Sequence, residues 1–371
     1  MTFQITVIPG DGIGPEVTTQ SKKVLNAIAE KYGHTFVYED AEMGACAIDR
    51  TGNPLPDATI TSCKNSDAIL FGAIGDPKYD NDPSAKVRPE QGLLRLRKEL
   101  GLFCNIRPVK AYKELIANSP LKEDIISGTD ISIYRELTGG IYFGEKTLSA
   151  DGKTAFDGCT YTVEEIERMA HLAFKAAQNR RKKLTLVDKA NVLETSRLWR
   201  KTVSALANQY PDVTLDMLFV DNAAMQLILN PKQFDVILTE NLFGDIISDE
   251  ASVIGGSIGL LASASVGSDK ALFEPIHGSF PQVKGQDIAN PLASILSAAM
   301  LLKHLGLNKE ACDVEEAVET SLELGVSTVD INPEKPYKTS QVGDFIAAYI
   351  ENPEDCKLNF QNIQMGQRTI I

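Results

Sequence analysis

Three arginines give this sequence the means to hold a dianion: Arg97 in Leu94-Arg95-Leu96-Arg97-Lys98, Arg107 in Asn105-Ile106-Arg107-Pro108, and Arg135 in Tyr134-Arg135-Glu136-Leu137-Thr138. A guanidinium grips a carboxylate through two parallel hydrogen bonds, so three converging arginines hold a dicarboxylate rigidly. Taken singly, each is equally a surface ion pair, and Arg95, on another helix face, is read that way. A second constellation is Asn241-Leu242-Phe243-Gly244-Asp245-Ile246-Ile247-Ser248-Asp249. A helix starting near Gly244 sets Asp245 and Asp249 four residues apart on one face, where their repulsion is relieved by a hard cation that takes oxygen ligands from both. A solvated helix face accounts for the same spacing, but the flanking Asn241, Phe243 and Gly244 favour a shaped site.

Lys189, in Asp188-Lys189-Ala190-Asn191-Val192, follows an apolar run. A partly desolvated lysine near other cations can take a proton at neutral pH; an exposed or anion-binding lysine is the plainer reading. The segment Ile8-Pro9-Gly10-Asp11-Gly12-Ile13-Gly14-Pro15-Glu16-Val17 has three glycines in a strand-to-helix turn. Such a turn either lets backbone approach a ligand or simply starts a helix with Pro15 in its first position. The even spacing of Gly10, Gly12 and Gly14 departs from the dinucleotide fingerprint. Phe273-Glu274-Pro275-Ile276-His277-Gly278-Ser279, with Asn290-Pro291 later, reads as a ligand loop or a structural one.

The elements that must carry these residues alternate. Ile5 to Pro9, Ala68 to Gly72, Ile131 to Tyr134, Leu184 to Val187, Leu215 to Val220 and Phe234 to Thr239 have strand character; Glu16 to Tyr32, Val163 to Asn179, Thr195 to Asn208 and Ile288 to Leu305 have helical period. The alternation predicts an α/β protein with a largely parallel sheet and a ligand site beyond the carboxyl ends of its strands. No low-complexity tract, repeat or Gly/Ser linker separates domains, so two domains would be joined by crossings of the sheet. Thr147 to Tyr161, rich in Gly, Asp, Thr and Lys, is either a protruding hairpin that docks on a partner subunit or a plain surface loop.

The 371 residues allow about two domains of ~150 residues. A net charge of −13 argues against binding nucleic acid or anionic lipid, both of which an acidic surface repels. The start of the chain has no basic leader and no apolar run reaches the ~20 residues of a membrane span, so a cytoplasmic location is expected. Six scattered cysteines, with no C-x-x-C pair, read as mostly buried thiols and not as a zinc site.

In combination and in order, these motifs resemble the β-decarboxylating dehydrogenase family, which includes isocitrate, isopropylmalate, homoisocitrate and tartrate dehydrogenases. The stretch from Asn241 through Gly255-Gly256-Ser257-Ile258-Gly259-Leu260 is the most specific match. Within the family, Arg135 to Gly144 and Pro89-Glu90-Gln91-Gly92-Leu93-Leu94 are most similar to the isopropylmalate branch. The resemblance implies an α/β, two-domain fold with a large mixed, mostly parallel sheet that is not a standard Rossmann domain. Its cofactor-binding first domain would combine residues 1–102 and 256–371; a second, 103–255, would make a homodimer.

The same resemblance implies the site. Arg97, Arg107 and Arg135 would hold the malate carboxylates; Glu90, Leu93, Leu94 and Val192 would form an apolar pocket for an isopropyl group; and Asp221, Asp245 and Asp249 would bind Mg2+ or Mn2+. Lys189 would assist proton removal, and Tyr142 would protonate carbon after CO2 is lost. Lys189 and Asp221 would reach into the neighbouring subunit's site. NAD is expected along Ile13, Glu274, His277, Gly278, Ser279, Gln282 and Asn290. NAD-specific members usually carry aspartate at Gln282, and NADP-dependent ones Lys-Tyr at 282–283. Glutamine still meets ribose hydroxyls and no cation awaits a 2′-phosphate, so NAD is preferred. The implied reaction is oxidative decarboxylation of 3-isopropylmalate, in leucine biosynthesis; an unmatched third carboxylate is rejected by the apolar pocket, which disfavours isocitrate. A tartrate/malate or homoisocitrate enzyme is the alternative, and after it a catalytically silent regulatory subunit.

Overall fold

A computed structural model describes residues 1–80 and 87–358. Its strands are β1 (Thr2–Gly10), β2 (Thr35–Asp40), β3 (Ala68–Ala73), β4 (Cys104–Lys110), β5 (Asp130–Glu136), β6 (Lys146–Leu148), β7 (Ala155–Asp157), β8 (Lys183–Asp188), β9 (Thr214–Phe219), β10 (Val236–Thr239), β11 (Ala262–Val266) and β12 (Ala271–Pro275). The fold is α/β with a large mixed, mostly parallel sheet. The described residues divide into two compact units: one takes those of Met1–Leu100, Gly259–Ser263 and the chain from Asp269 onward, the other Gly101–Ile258 and Ala264–Ser268.

In the first unit β1 lies between β2 and β3, parallel to both, and β12 runs parallel to β3 on its other side. Every residue of β3 is buried, as expected of a parallel strand covered on both faces. Helix Gly14–Tyr32 packs on Thr339–Glu351 and on Leu292–His304. The last of these is apolar nearly all round and almost wholly buried, which is why its sequence has no clean amphipathic stripe.

In the second unit β4 is antiparallel to β5 and to the Ala264–Val266 half of β11, while β10 runs parallel between β5 and β8, and β9 parallel to β8. Phe174, Trp199, Met169 and Leu186 centre one core cluster, beneath helices Val163–Gln178 and Glu194–Ala207. Ile133, Ile237, Leu227 and Ile247 centre another, beneath Val220–Leu229 and Asn241–Ser252. β6 and β7 make an exposed antiparallel hairpin within residues 147–161 and just before them.

Several boundaries differ from expectation. β4 was obscured by Pro108, which breaks the apolar pattern; β11 pairs with it over Cys104–Ile106, short of the proline. Phe273 to Pro275 is not loop but the end of buried β12. The helix expected from Ile288 begins at Leu292, since Pro291 disfavours α conformation at Asn290. The cysteines are all free but not mostly buried: Cys63 and Cys104 are buried, Cys46 and Cys356 intermediate, Cys159 and Cys312 exposed. No helix among the described residues is long and apolar enough to cross a membrane.

Candidate active site

β5 and β10 run side by side in parallel and end together, with Thr239 opposite Arg135. The helix that follows β10 is capped by Glu240, whose carboxylate accepts the Phe243 amide at 2.7 Å, so it starts at Asn241, one turn earlier than the sequence implies. Gly244 is needed there because a Cβ would come within 2.5 Å of the Arg135 side chain. Close approach lets the guanidinium lie along the first turn. Its Nε and Nη2 donate to Asn241 Oδ1, at 3.2 and 2.9 Å, and its Nη1 pairs with Asp245 Oδ1.

Asp245 is the hinge of the cluster. Its second oxygen accepts the Tyr142 hydroxyl at 2.7 Å, and the Arg135 guanidinium lies over the Tyr142 ring. The hydrogen bond to an anion, followed by burial, pushes the Tyr142 phenol above its ordinary pKa. One turn on, Asp249 accepts from Arg107 Nη1 at 2.6 Å; Arg107 also donates to Ser248 at 2.8 Å and to Asn105 at 2.8 Å. Two arginines and two aspartates thus form an electroneutral set.

Lys189 follows β8 directly, and its ammonium donates to Asp221 at the start of helix Val220–Leu229. That contact holds the Asp221 carboxyl below its ordinary pKa. Asp188 receives Arg200 through two 2.8 Å hydrogen bonds and the Ala190 amide at 3.0 Å, and the Lys189 amide donates to Ser196. Val192 is exposed. Asp245 and Asp249 offer hard oxygen ligands on one helix face, with side chains 35 % and 70 % exposed, and so suit a divalent cation of the Mg2+ or Mn2+ type. Among the described residues of one chain no three acidic, histidine or cysteine side chains gather as a metal-holding group, so Asp221 does not join them within the chain.

The first unit carries the remaining candidates. Arg97 Nη2 donates to buried Glu274 on β12 at 2.8 Å, while its Nε is buried without a partner. Glu90, Leu93 and Leu94 lie on the same helix, Pro89–Glu99; Leu94 is exposed and Leu93 half-buried. Arg95 pairs with Asp57 at the surface, as its position on another face suggested.

The Gly-rich turn serves its own backbone. Gly12 has φ +57°, and a Cβ there would sit 1.9 Å from the Ser279 carbonyl, whose oxygen accepts the Ile13 amide at 2.8 Å. Asp11, which sequence reasoning missed, is buried and accepts three backbone amides, from Ala45, Cys46 and Gly75. Glu16 in turn accepts the Gly285 and Asp287 amides. These contacts bind residues 279–287 to the turn at Ile13. His277 Nδ1 lies 3.0 Å from the Gly278 carbonyl, its Nε2 is buried without a partner, and burial depresses its pKa. Gly278 and Gln282 are exposed, Ser279 is buried, and Asn290 is buried with its amide on Asp330. An orphaned imidazole nitrogen beside open backbone fits a nucleotide that supplies the missing hydrogen bond.

Sequence reasoning also missed Glu240, Tyr161 and Glu136, which have no motif of their own. Only the position of Glu240, between a strand end and a helix, could have signalled its capping role.

This geometry has close counterparts. The family model for isocitrate/isopropylmalate dehydrogenase matches residues 4–346. The chain is 54 % identical over 352 residues to a 3-isopropylmalate dehydrogenase of Bacteroides fragilis, covering 94 % of this chain and 99 % of that one. A 3-isopropylmalate dehydrogenase of Wolinella succinogenes is 54 % identical over 351 residues, 94 % of this chain and 98 % of its own. Among solved structures, an isocitrate dehydrogenase from Methylococcus capsulatus superposes with a TM-score of 0.83 at 34 % identity, covering 94 % and 100 % of the two chains. A β-decarboxylating dehydrogenase from Thermococcus kodakarensis gives 0.80 at 36 %, covering 94 % and 96 %. A match that takes in both units and every element of the Arg135–Asp245–Tyr142 cluster leaves one assignment: the chain belongs to the isocitrate/isopropylmalate dehydrogenase family.

Proposed function

We propose that the chain oxidises 3-isopropylmalate at C2, passes the hydride to NAD+ and releases CO2, the oxidative decarboxylation of leucine biosynthesis in the cytoplasm. The observation that carries this is Asp245, whose two oxygens are shared by Arg135 and Tyr142, so that an anion holder, a cation ligand and a proton donor meet on one carboxylate. An electroneutral set of two arginines and two aspartates receives a dianion and a dication together without leaving net buried charge.

In this reading Arg97, Arg107 and Arg135 hold the two carboxylates, and Glu90, Leu93, Leu94 and Val192 select an apolar branch over a third carboxylate. Asp245 and Asp249 of one chain and the partner's Asp221 would hold Mg2+ or Mn2+, which would supply positive charge for the developing oxyanion. Bound NAD+, along Ile13, Glu274, His277, Gly278, Ser279, Gln282 and Asn290, supplies the hydride acceptor; uncharged Gln282 favours it over NADP. Lys189 assists removal of the C2 hydroxyl proton, through water, as the hydride leaves, giving a 2-oxo acid with a carboxylate β to the new carbonyl. The C–C bond to that carboxylate breaks, its electron pair stays on carbon, and Tyr142 protonates that carbon. Tyr142 suits this role by place: its hydroxyl carries a proton at neutral pH, as phenols do, and it sits on Asp245 with its ring under the Arg135 guanidinium.

A homodimer with shared sites is supported by the apolar side chains that helices Val220–Leu229 and Asn241–Ser252 leave exposed, among them Met225, Leu229 and Ile246. The test is the rate of NADH formation with Mg2+ on 3-isopropylmalate, isocitrate, tartrate and malate in parallel. A marked preference for 3-isopropylmalate is expected, and faster turnover of isocitrate would overturn the pocket assigned to Leu93, Leu94 and Val192.

A further inference from the structure

Behind the residues that meet ligand stands a buried group with no role in the chemistry above. Tyr161 is 6 % exposed, its ring set edge-on to Trp199 at 5.4 Å between centroids. Its hydroxyl donates to Glu240 Oε2 at 3.0 Å and accepts the Asn241 amide at 3.0 Å. It therefore joins the cap of the Asn241–Ser252 helix to that helix's first residue. Asn241 passes the constraint on in two directions: its Oδ1 takes two hydrogen bonds from Arg135, and its Nδ2 donates to the Gly139 carbonyl at 3.1 Å. The Tyr161 ring also fills the space under the turn that carries Tyr142. A Cβ on Gly139 would lie 2.8 Å from that ring, and one on Gly140 would lie 2.2 Å from the Tyr161 hydroxyl. The Gly140 amide donates to the carbonyl of Thr160, the neighbour of Tyr161.

We infer that Tyr161 is a positioning residue: through the Glu240 and Asn241 hydrogen bonds of its hydroxyl it sets the pose of Arg135 and, through the Gly139–Gly140 turn, that of Tyr142. The chain of contacts is continuous and buried, and no member of it between Tyr161 and Arg135 is held by water-exposed groups alone. Glu240 needs the hydroxyl as well, since burial pushes its carboxyl pKa up and the hydrogen bonds from the Phe243 amide and Tyr161 counter that. A site residue fixed by such a support holds its geometry to a fraction of an ångström, and losing the support loosens the site without emptying it. The inference rests on the reading of Arg135 and Tyr142 as substrate holder and proton donor.

Tyr161→Phe keeps the ring and removes only the hydroxyl, and Tyr161→Leu removes both. Three readouts are taken on the full-length chain: kcat and KM on 3-isopropylmalate with NAD+ and Mg2+, thermal unfolding, and amide hydrogen exchange resolved over residues 138–144 and 240–245. Tyr161→Phe is expected to unfold within a few degrees of wild type yet to raise KM and lower kcat, with kcat/KM down roughly 10- to 100-fold, the loss attached to a misplaced supporting group. Exchange should speed up in those two segments and not in the β6–β7 hairpin. Glu240→Gln, which can still accept from Tyr161, should retain more activity than Glu240→Ala. If Tyr161→Phe matches wild type in kinetics and exchange while Tyr161→Leu fails, the ring alone matters and the inference is overturned. If wild type turns over none of the acids but exchange still quickens in Tyr161→Phe, the positioning role stands and the substrate reading falls.

Discussion

Tyr142 and Asp245 share a hydrogen bond of 2.7 Å, and the remaining oxygen of that carboxylate is occupied by Arg135. The phenol is the donor and has no other acceptor to satisfy, so removing it leaves Asp245 its arginine and leaves the fold intact. Tyr142→Phe is therefore expected to lower kcat by roughly 10²–10⁴, the usual worth of a placed acid, with a small effect on unfolding temperature. Steady-state NADH formation alongside a thermal melt checks both halves. An equal fall in stability would assign Tyr142 to the architecture instead.

Lys189 and Asp221 hold each other in one chain, at a place that does not join the Asp245–Asp249 pair. If both work in the partner's site, two inactive proteins should repair each other. A mixed dimer of Tyr142→Phe and Lys189→Ala chains has one site with both defects and one with neither. Random reassortment in a symmetric dimer then restores about a quarter of wild-type activity. The measurement is activity after denaturing and refolding the two variants together at equal concentration. Activity no higher than the mean of the separate variants would place Tyr142 and Lys189 in a site made by one chain.

Arg135 spreads three donors over Asn241 and Asp245 while stacking on Tyr142. Lysine has the charge but not the planar fork, so Arg135→Lys frees one or two charge-assisted hydrogen bonds, each worth about 1.5–3 kcal/mol. KM for 3-isopropylmalate is expected to rise about ten- to a hundredfold, at about 1.4 kcal/mol per factor of ten. Titration of initial rates decides the matter, and an unchanged KM would remove Arg135 from the carboxylate site.

How legible all this was depended on whether a residue's role is local in sequence. The strands of continuous apolar residues, such as Ala68–Ala73, and the strand-to-helix turn at Gly10–Gly14 were readable because burial and turn chemistry are written within a few positions. That Asp245 and Asp249 share one helix face was readable from their spacing, with the flanking Asn241, Phe243 and Gly244 marking the place. Their pairing with Arg135 and Arg107 was not, since it depends on β5, β4 and β10 being brought together by chain more than a hundred residues apart. The glycines of the first turn left open an approaching ligand or a plain helix start; what the sequence could not show is that Gly12 makes room for the Ser279 carbonyl of its own chain. Buried carboxylates such as Asp11, Glu136 and Glu240 look like any surface acid in the sequence, because their donors are mostly backbone amides.

Gly140 adopts φ +72°, and a side chain there would run into the Tyr161 hydroxyl at 2.2 Å. Gly140→Ala pays the left-handed backbone strain of about 1–2 kcal/mol. It also displaces a hydroxyl that makes two hydrogen bonds, each worth about 1 kcal/mol. Gly128, with φ +80° and nothing within 4 Å, isolates the first contribution. Urea unfolding of the two alanine variants should show Gly140→Ala the less stable, with loss of activity only there. Equal destabilisation would mean that the turn yields without disturbing Tyr161.

Glu136 is fully buried at the end of β5, where it accepts the amides of Thr138 and Gly139 and the Thr138 hydroxyl, with Arg168 at 3.6 Å. Burial outweighs these donors and raises its carboxyl above the ordinary 4.5. A carboxyl whose folded pKa lies above its unfolded one binds its proton more tightly when folded. Its contribution to stability is greatest below pH 4.5, declines as pH rises through the folded pKa, and is level above it. Glu136→Gln lacks this titration while every other carboxyl is common to both proteins. The stability of wild type minus that of the variant should therefore fall as pH is raised above 4.5 and flatten above the folded pKa. Paired denaturant titrations across that range test it. A difference that grows with pH would mean that the amide donors and Arg168 stabilise the anion more than burial opposes it.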